Sequence, residues 1–115
     1  MLDEAWNRLK AGETVQIRPH GGSMVGLVPS GSLVEVVPCQ PDKLEIEDVV
    51  LVRVKGTVYL HKVLGLELAK QRILIGNNRG GTNGWTSFTK VAGIAASVNG
   101  KARPRLAGKT NTPGN

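Results

Sequence analysis

The strongest β signal in this chain is Val49-Val50-Leu51-Val52-Arg53-Val54-Lys55-Gly56-Thr57-Val58-Tyr59-Leu60-His61-Lys62-Val63-Leu64. Two runs rich in valine and leucine flank Lys55-Gly56, where glycine accepts the backbone conformation that a tight hairpin turn requires. β-branched and aromatic residues favour strands. We therefore predict two antiparallel strands, over residues 49–54 and 57–64, joined by this turn.

Shorter apolar runs on both sides extend the pattern to a mostly β domain. Residues 3–11 carry apolar side chains at helical spacing, and Gly12 is a typical helix stop. Further strands are predicted over residues 14–18, 33–37, 72–75 and 91–98. We expect a partly closed, antiparallel, barrel-like β structure with one short N-terminal helix.

The remaining segments are rich in turn-forming residues. Residues 76–84 offer no apolar face, which predicts a surface loop. From residue 101 onward the chain is basic and rich in Gly and Pro, a composition typical of flexible segments. We predict a single domain over residues 1–100 and a basic flexible tail over residues 101–115.

The composition narrows the class of protein. With 115 residues, 40% hydrophobic and 3% aromatic, the chain can bury one aliphatic core. Cys39 is the only cysteine, so no internal disulfide can form, and we interpret it as a packing residue. No apolar run approaches the ~20 residues that span a bilayer. We expect a soluble, cytoplasmic protein with no transmembrane segment, and two histidines and one thiol indicate neither a metal site nor a cofactor.

The net charge of +6 is unevenly distributed, because all nine acidic residues lie at or before Glu67. A basic nucleic-acid binder is therefore one alternative. It would use Arg79, Lys90, Lys101, Arg103, Arg105 and Lys109. We disfavour this alternative because the chain has few aromatic residues on which bases could stack.

Ser23 and His61 are candidate catalytic residues. Gly21-Gly22-Ser23-Met24 places Ser23 in a segment that glycines release from regular structure, and His61 follows on a predicted strand. A serine hydroxyl needs a base to become a good nucleophile, and a histidine with a pKa near 6.5 can accept its proton. Lys62 is the rival base. Strand alternation places His61 and Lys62 on opposite faces, so only one of them can meet Ser23.

The order of these motifs resembles the serine proteases that include signal peptidases and the self-cleaving SOS repressors (LexA-like proteins). The segments that carry the likeness are Ser23-Met24, Pro29-Ser30-Gly31-Ser32-Leu33-Val34-Glu35-Val36, Asp48-Val49-Val50-Leu51-Val52, His61-Lys62-Val63, Ile75-Gly76-Asn77-Asn78 and Val91-Ala92-Gly93-Ile94. The resemblance spans roughly residues 18–98. It implies a LexA/signal peptidase-like domain with Ser23 as nucleophile and His61 as base.

The chain departs from that family's pattern at positions occupied by Gly26, Ser32, Glu47 and Asn77. Asn77 stands where the family has the aspartate of its catalytic triad. Asn77 or Asn78 could orient His61 through an amide oxygen, which stabilises an imidazolium less than a carboxylate does. We therefore expect slow catalysis.

Together these observations predict a serine endopeptidase that cleaves a protein or peptide substrate through a Ser23/His61 dyad. The missing aspartate favours one alternative, a catalytically inactive member of the same fold that serves as an interaction or dimerisation module. Neither function needs a cofactor, and both are compatible with a homodimer.

Overall fold

The computed structural model describes residues 2–19, 31–76 and 81–102. Within these ranges no helix is long and apolar enough to cross a membrane. The elements in chain order are α1 (Asp3–Lys10), β1 (Val15–Ile17), β2 (Val34–Pro38), the 3-10 turn η1 (Pro41–Lys43), β3 (Val49–Val54), β4 (Thr57–Glu67), β5 (Arg72–Gly76), β6 (Thr82–Ser87), the 3-10 turn η2 (Phe88–Lys90), β7 (Val91–Val98) and β8 (Lys101–Ala102).

Seven strands follow one another across a single antiparallel sheet in the order β1-β2-β7-β3-β4-β5-β6, and β8 pairs with the end of β7. The chain returns from β6 into β7, which inserts between β2 and β3. β1 and β6 therefore remain at the two ends, and no pairing among the described residues joins them. The prediction of a mostly β chain with one N-terminal helix is confirmed, whereas the sheet is not closed.

The predicted hairpin is present with its turn at Lys55 and Gly56. Their φ angles are 50° and 85°, so both residues adopt the left-handed conformation that matches a hairpin turn to the twist of its strands. β3 has the predicted bounds. β4 continues past residue 64 to Glu67, because a bulge between Val63 and Gly65 lets it follow β5.

Two segments differ from the sequence-based expectation. The surface loop predicted over residues 76–84 is wrong for Gly76, the last residue of β5, and for residues 82–84, which belong to β6. This strand lacks an alternating apolar pattern, but the edge of β5 supplies its partners, with Leu74 opposite Trp85. Lys101 and Ala102, assigned to the tail, pair with β7 as β8. Residues 103–115 lie outside the described residues.

Apolar clusters cover both faces of the sheet. The helix-side cluster contains Ala5, Trp6, Leu9, Val15, Val34, Val36, Val49, Leu51, Val58, Leu60, Ala92 and Ala95. The opposite cluster contains Leu44, Val50, Val52, Val63, Ile73, Ile75, Phe88 and Val91. β3 contributes alternate residues to both clusters. Burial on both faces explains why its sequence is a continuous apolar run.

A tight turn anchors the start of β3 to β4. Asp48 is fully buried, and its Oδ2 accepts the N–H of Glu45 at 2.8 Å. The Asp48 carbonyl accepts the N–H of Val63, also at 2.8 Å. Glu47 has a φ of 83°, a left-handed conformation that favours glycine. Glycine would adopt this backbone conformation more readily than Glu47 does.

Replacement of Gly56 by alanine should lower the free energy of unfolding by about 1 kcal/mol, because an alanine Cβ disfavours left-handed backbone. No atom lies within 4 Å of the added Cβ, so steric crowding would not contribute. Urea unfolding measures the difference. The control is Lys55→Asn, which should leave stability unchanged or raise it, since asparagine tolerates this conformation. Equal stability of Gly56→Ala and the wild type would contradict the turn geometry.

Candidate active site

His61 lies in the middle of β4 with 4% of its surface exposed. It is directly opposite Val50 of β3. Residues opposite each other in an antiparallel pair point to the same face. Val50 belongs to the opposite cluster, so the His61 side chain lies on that face. Its neighbour Leu60 belongs to the helix-side cluster, as strand alternation predicts.

Both ring nitrogens of His61 are buried and have no hydrogen-bond partner among the described residues. A buried polar group without a partner costs ~1–3 kcal/mol, and a catalytic role is one reason for a native protein to retain one. Burial also lowers the pKa of His61 below its ordinary value of 6.5, because the charged ring is disfavoured away from water. The imidazole is therefore neutral at pH 7 and has a lone pair that can accept a proton.

Tyr59 stacks on the imidazole of His61. The ring centroids are 5.1 Å apart and the planes make an angle of 24°, within the range of offset stacking. Tyr59 is 42% exposed, so its ring contacts both the buried imidazole and solvent. Residues 59 and 61 lie on the same face of a strand, but no sequence motif marks Tyr59 as a neighbour of the imidazole. Only the three-dimensional structure shows that the two rings touch.

Lys62 lies on the other face of the sheet. It is opposite Val49, a member of the helix-side cluster. Its Nζ is 3.5 Å from Oε1 of Glu47, and its side chain is 15% exposed. A partner of His61 would therefore meet a different face of β4 from a partner of Lys62.

The other predicted site residues lie outside the described residues, Ser23 within the segment 20–30 and Asn77 and Asn78 within the segment 77–80. Chain neighbours of both segments are described. The N–H of Gly31 donates to the carbonyl of Pro19 at 2.8 Å, so the segment that contains Ser23 begins and ends at one place. The structure neither joins Ser23 to His61 nor separates them.

β1 ends at Ile17 before this segment, and β2 begins at Val34 after it. Ile17, the last residue of β1, pairs with Val34, the first residue of β2. β2 and β3 run in the same direction, because each is antiparallel to β7 between them. His61 is opposite Val50, the second residue of β3. Val50 and Val37 are both opposite Ile94 of β7, whereas Val34 is opposite Val98, so His61 is level with the last residues of β2 and not with its first.

Gly76 fixes the base of the segment that contains Asn77 and Asn78. It pairs with Lys62 on β4, next in the chain to His61. A Cβ at Gly76 would collide with the carbonyl oxygen of Gly81 and would lie 2.5 Å from the Leu64 side chain. Only glycine allows this close approach.

Cys39 is not a second nucleophile. It is half-buried and packs against the opposite cluster. Burial, reinforced by the carboxylate of Asp48, raises the pKa of the thiol to about 11. The thiol is therefore neutral at physiological pH, which supports its interpretation as a packing residue. In the part of the chain that the structure describes, no three potential ligands group to hold a metal ion.

A cleft of about 560 Å³ lies between the end of α1, η1 and η2. Leu9, Cys39, Phe88 and Val91 contribute apolar walls, and Lys10 and Asp42 contribute opposite charges. Neither His61 nor Tyr59 lines it. The cleft is therefore distinct from the candidate site.

No family model matches this chain, and no curated protein matches it in sequence. The likeness to signal peptidases and SOS repressors rests on the motifs alone. His61 and its surroundings therefore provide the evidence for the chemistry of this site.

The burial of His61 predicts acid sensitivity. In the unfolded chain His61 binds a proton near pH 6.5, whereas in the folded protein it does so only at lower pH. The unfolded state therefore binds more protons as the pH falls below 6.5. The free energy of unfolding should decrease through this window, by at most about 1.4 kcal/mol per pH unit, and level off below the folded pKa.

Urea unfolding of the wild type and His61→Leu between pH 5 and 7.5 isolates this contribution, because all carboxylates are common to both proteins. The wild type should lose more stability on acidification than His61→Leu. Parallel curves would contradict a depressed pKa for His61.

Proposed function

We propose that this protein is a serine endopeptidase in which His61 activates Ser23. The observation that supports the proposal most is the state of His61, which is buried, neutral at pH 7 and without a partner at either ring nitrogen among the described residues. Such a ring can accept a proton, and its strand holds it in place.

The reaction would proceed in two steps. Ser23 Oγ attacks the carbonyl carbon of the scissile peptide bond while His61 takes the hydroxyl proton. The C–N bond then breaks, His61 returns the proton to the leaving amine, and an acyl ester remains on Ser23. Water, deprotonated in turn by His61, hydrolyses this ester and regenerates the serine. No cofactor takes part.

The imidazolium formed in each step determines the speed of this enzyme. Burial keeps His61 neutral before the reaction but opposes the positive charge that develops on it. Asn77 or Asn78, which follow Gly76 in the chain, would provide an amide oxygen to orient the ring. An amide stabilises the cation less than a carboxylate does. Slow turnover follows.

We further propose that the fold is of the LexA/signal peptidase type, with its sheet open between β1 and β6. The support is the combination of an N-terminal helix, a β1–β2 connection that contains the serine, and a β3–β4 hairpin that contains the histidine. A protein or peptide substrate and a cytoplasmic location remain predictions from the sequence.

One observation favours the second candidate function, an inactive interaction or dimerisation module. No carboxylate among the described residues bonds to the ring of His61. A site that has lost its acid partner can survive as a binding surface. Peptide cleavage by the wild type would exclude this candidate, and a stable homodimer without cleavage would support it.

The proposal predicts the relative peptidase activities of three variants. Each variant would be incubated with peptides derived from denatured proteins, and mass spectrometry would detect the cleavage products. Ser23→Ala and His61→Ala should each lose activity by ~10⁴-fold or more, because the nucleophile and its base act as a unit. Lys62→Ala is the matched control, one residue along the same strand, and should keep most of the activity.

Circular dichroism must show that all three variants are folded. Cleavage by Ser23→Ala at the wild-type rate would overturn the proposal. Loss of activity in Lys62→Ala with retention in His61→Ala would show that the base is lysine. If the wild type cleaves no peptide, the inactive module is the better account.

A further inference from the structure

We propose that Tyr59 is a positioning residue for His61 and takes over part of the task that a carboxylate performs in a Ser/His/Asp triad. This inference rests on the proposed function, since it concerns the same base. Its starting point is the stack of the two rings on one face of β4.

The stack restricts the orientation of the imidazole. In a triad, a hydrogen bond from the carboxylate to Nδ1 fixes the ring. His61 has no hydrogen bond at either nitrogen within the described part of the chain, so rotation about its Cβ–Cγ bond is not limited in that way. The Tyr59 ring lies 5.1 Å away at 24° and would clash with a large rotation. His61 and Tyr59 pair with Val50 and Val52 of β3, which fixes the positions of their backbones.

The tyrosine ring also stabilises the charged form of His61 more than an aliphatic side chain in the same place would. The face of a tyrosine ring is electron-rich and attracts a cation placed over it. When His61 takes the serine proton, the imidazolium is already in contact with that face. The typical strength of such contacts corresponds to about a 2- to 30-fold gain in proton affinity.

Stacking on Tyr59 does not occupy either nitrogen of the imidazole. Tyr59 contacts the face of the ring, whereas both nitrogens lie at its edge. A carboxylate would occupy Nδ1, and a second hydrogen bond would occupy Nε2. Tyr59 can therefore orient the base without competing with the serine or with an orienting amide.

The other groups on this face do not take the same role. On β3, Val50 lies on the face of His61. Asp48 precedes β3, and its Oδ2 accepts the N–H of Glu45. β5 and β7 contribute the apolar side chains Ile75 and Ile94 to the same cluster. Tyr59 is the aromatic residue that touches the imidazole.

Two substitutions distinguish the effect of the aromatic ring of Tyr59 from the effect of its side-chain volume. Tyr59→Phe keeps the stack and removes only the hydroxyl, whereas Tyr59→Leu keeps an apolar cover and removes the aromatic face. Both should fold, because Tyr59 is 42% exposed. The His61 ring protons can be titrated by NMR in each protein, with His20→Gln in the background to leave a single histidine signal.

Tyr59→Phe should titrate like the wild type. Tyr59→Leu should bind the His61 proton about 2- to 30-fold more weakly, because burial is retained while the cation loses its contact with the ring. In the cleavage assay kcat of Tyr59→Leu should fall by a similar factor with KM unchanged, and Tyr59→Phe should remain near the wild type.

Equal titration of His61 in the Phe and Leu variants would overturn the proposed role of Tyr59. An equal loss of kcat in both variants would also overturn it, since the hydroxyl would then be responsible. If the titrations differ as expected but the wild type cleaves no peptide, the contact between Tyr59 and His61 stands and the proposed peptidase function fails.

Discussion

The burial of β3 on both faces is the constraint on which the rest of the structure depends. Its first four residues, Val49 to Val52, have no exposed surface, and they alternate between the two apolar clusters. A shift of one residue in the β3–β4 pairing would turn every side chain of β4 to the wrong face. It would also exchange His61 for Lys62. The left-handed turn at Lys55 and Gly56 fixes that register, and so it determines which of His61 and Lys62 lies on the face of the opposite cluster.

His61 combines two opposing consequences of burial. The ring is neutral near pH 7, as a proton acceptor must be, but the cation formed in catalysis has lost the hydration that would stabilise it. A triad resolves this conflict with a carboxylate. Here an aromatic face, and the amides that follow Gly76 in the chain, are the groups available to compensate. Under the proposed function His61 would accept a proton readily but hold it weakly, and we therefore expect slow turnover.

The elements that local sequence determines could be predicted. The β3–β4 hairpin depends on valine-rich runs and on Lys55-Gly56, all of which are visible in the sequence. β6 was missed because Thr82, Gly84 and their neighbours carry no apolar period, and their pairing depends on the edge of β5. Insertion of β7 between β2 and β3 is likewise a long-range event. No local pattern shows it, and it leaves the sheet open.

For the site, strand alternation predicted that His61 and Lys62 face opposite ways, and the two clusters bear this out. The stack on Tyr59 and the absence of a partner for the imidazole among the described residues could not be predicted, because both depend on side-chain geometry. Glu47 could be predicted only in part. Its position was noted as a departure from the family pattern, and its positive φ gives the physical reason why glycine is favoured there.

Covalent labelling tests most directly whether His61 activates Ser23. The wild type and His61→Ala would be incubated with a fluorophosphonate, which reacts with activated serine hydroxyls, and the modified residue would be mapped by peptide mass spectrometry. Our account predicts a single adduct on Ser23 in the wild type and none in His61→Ala at the same time point. Labelling of Ser23 at equal rates in both proteins, or no labelling of Ser23 in the folded wild type, would contradict it.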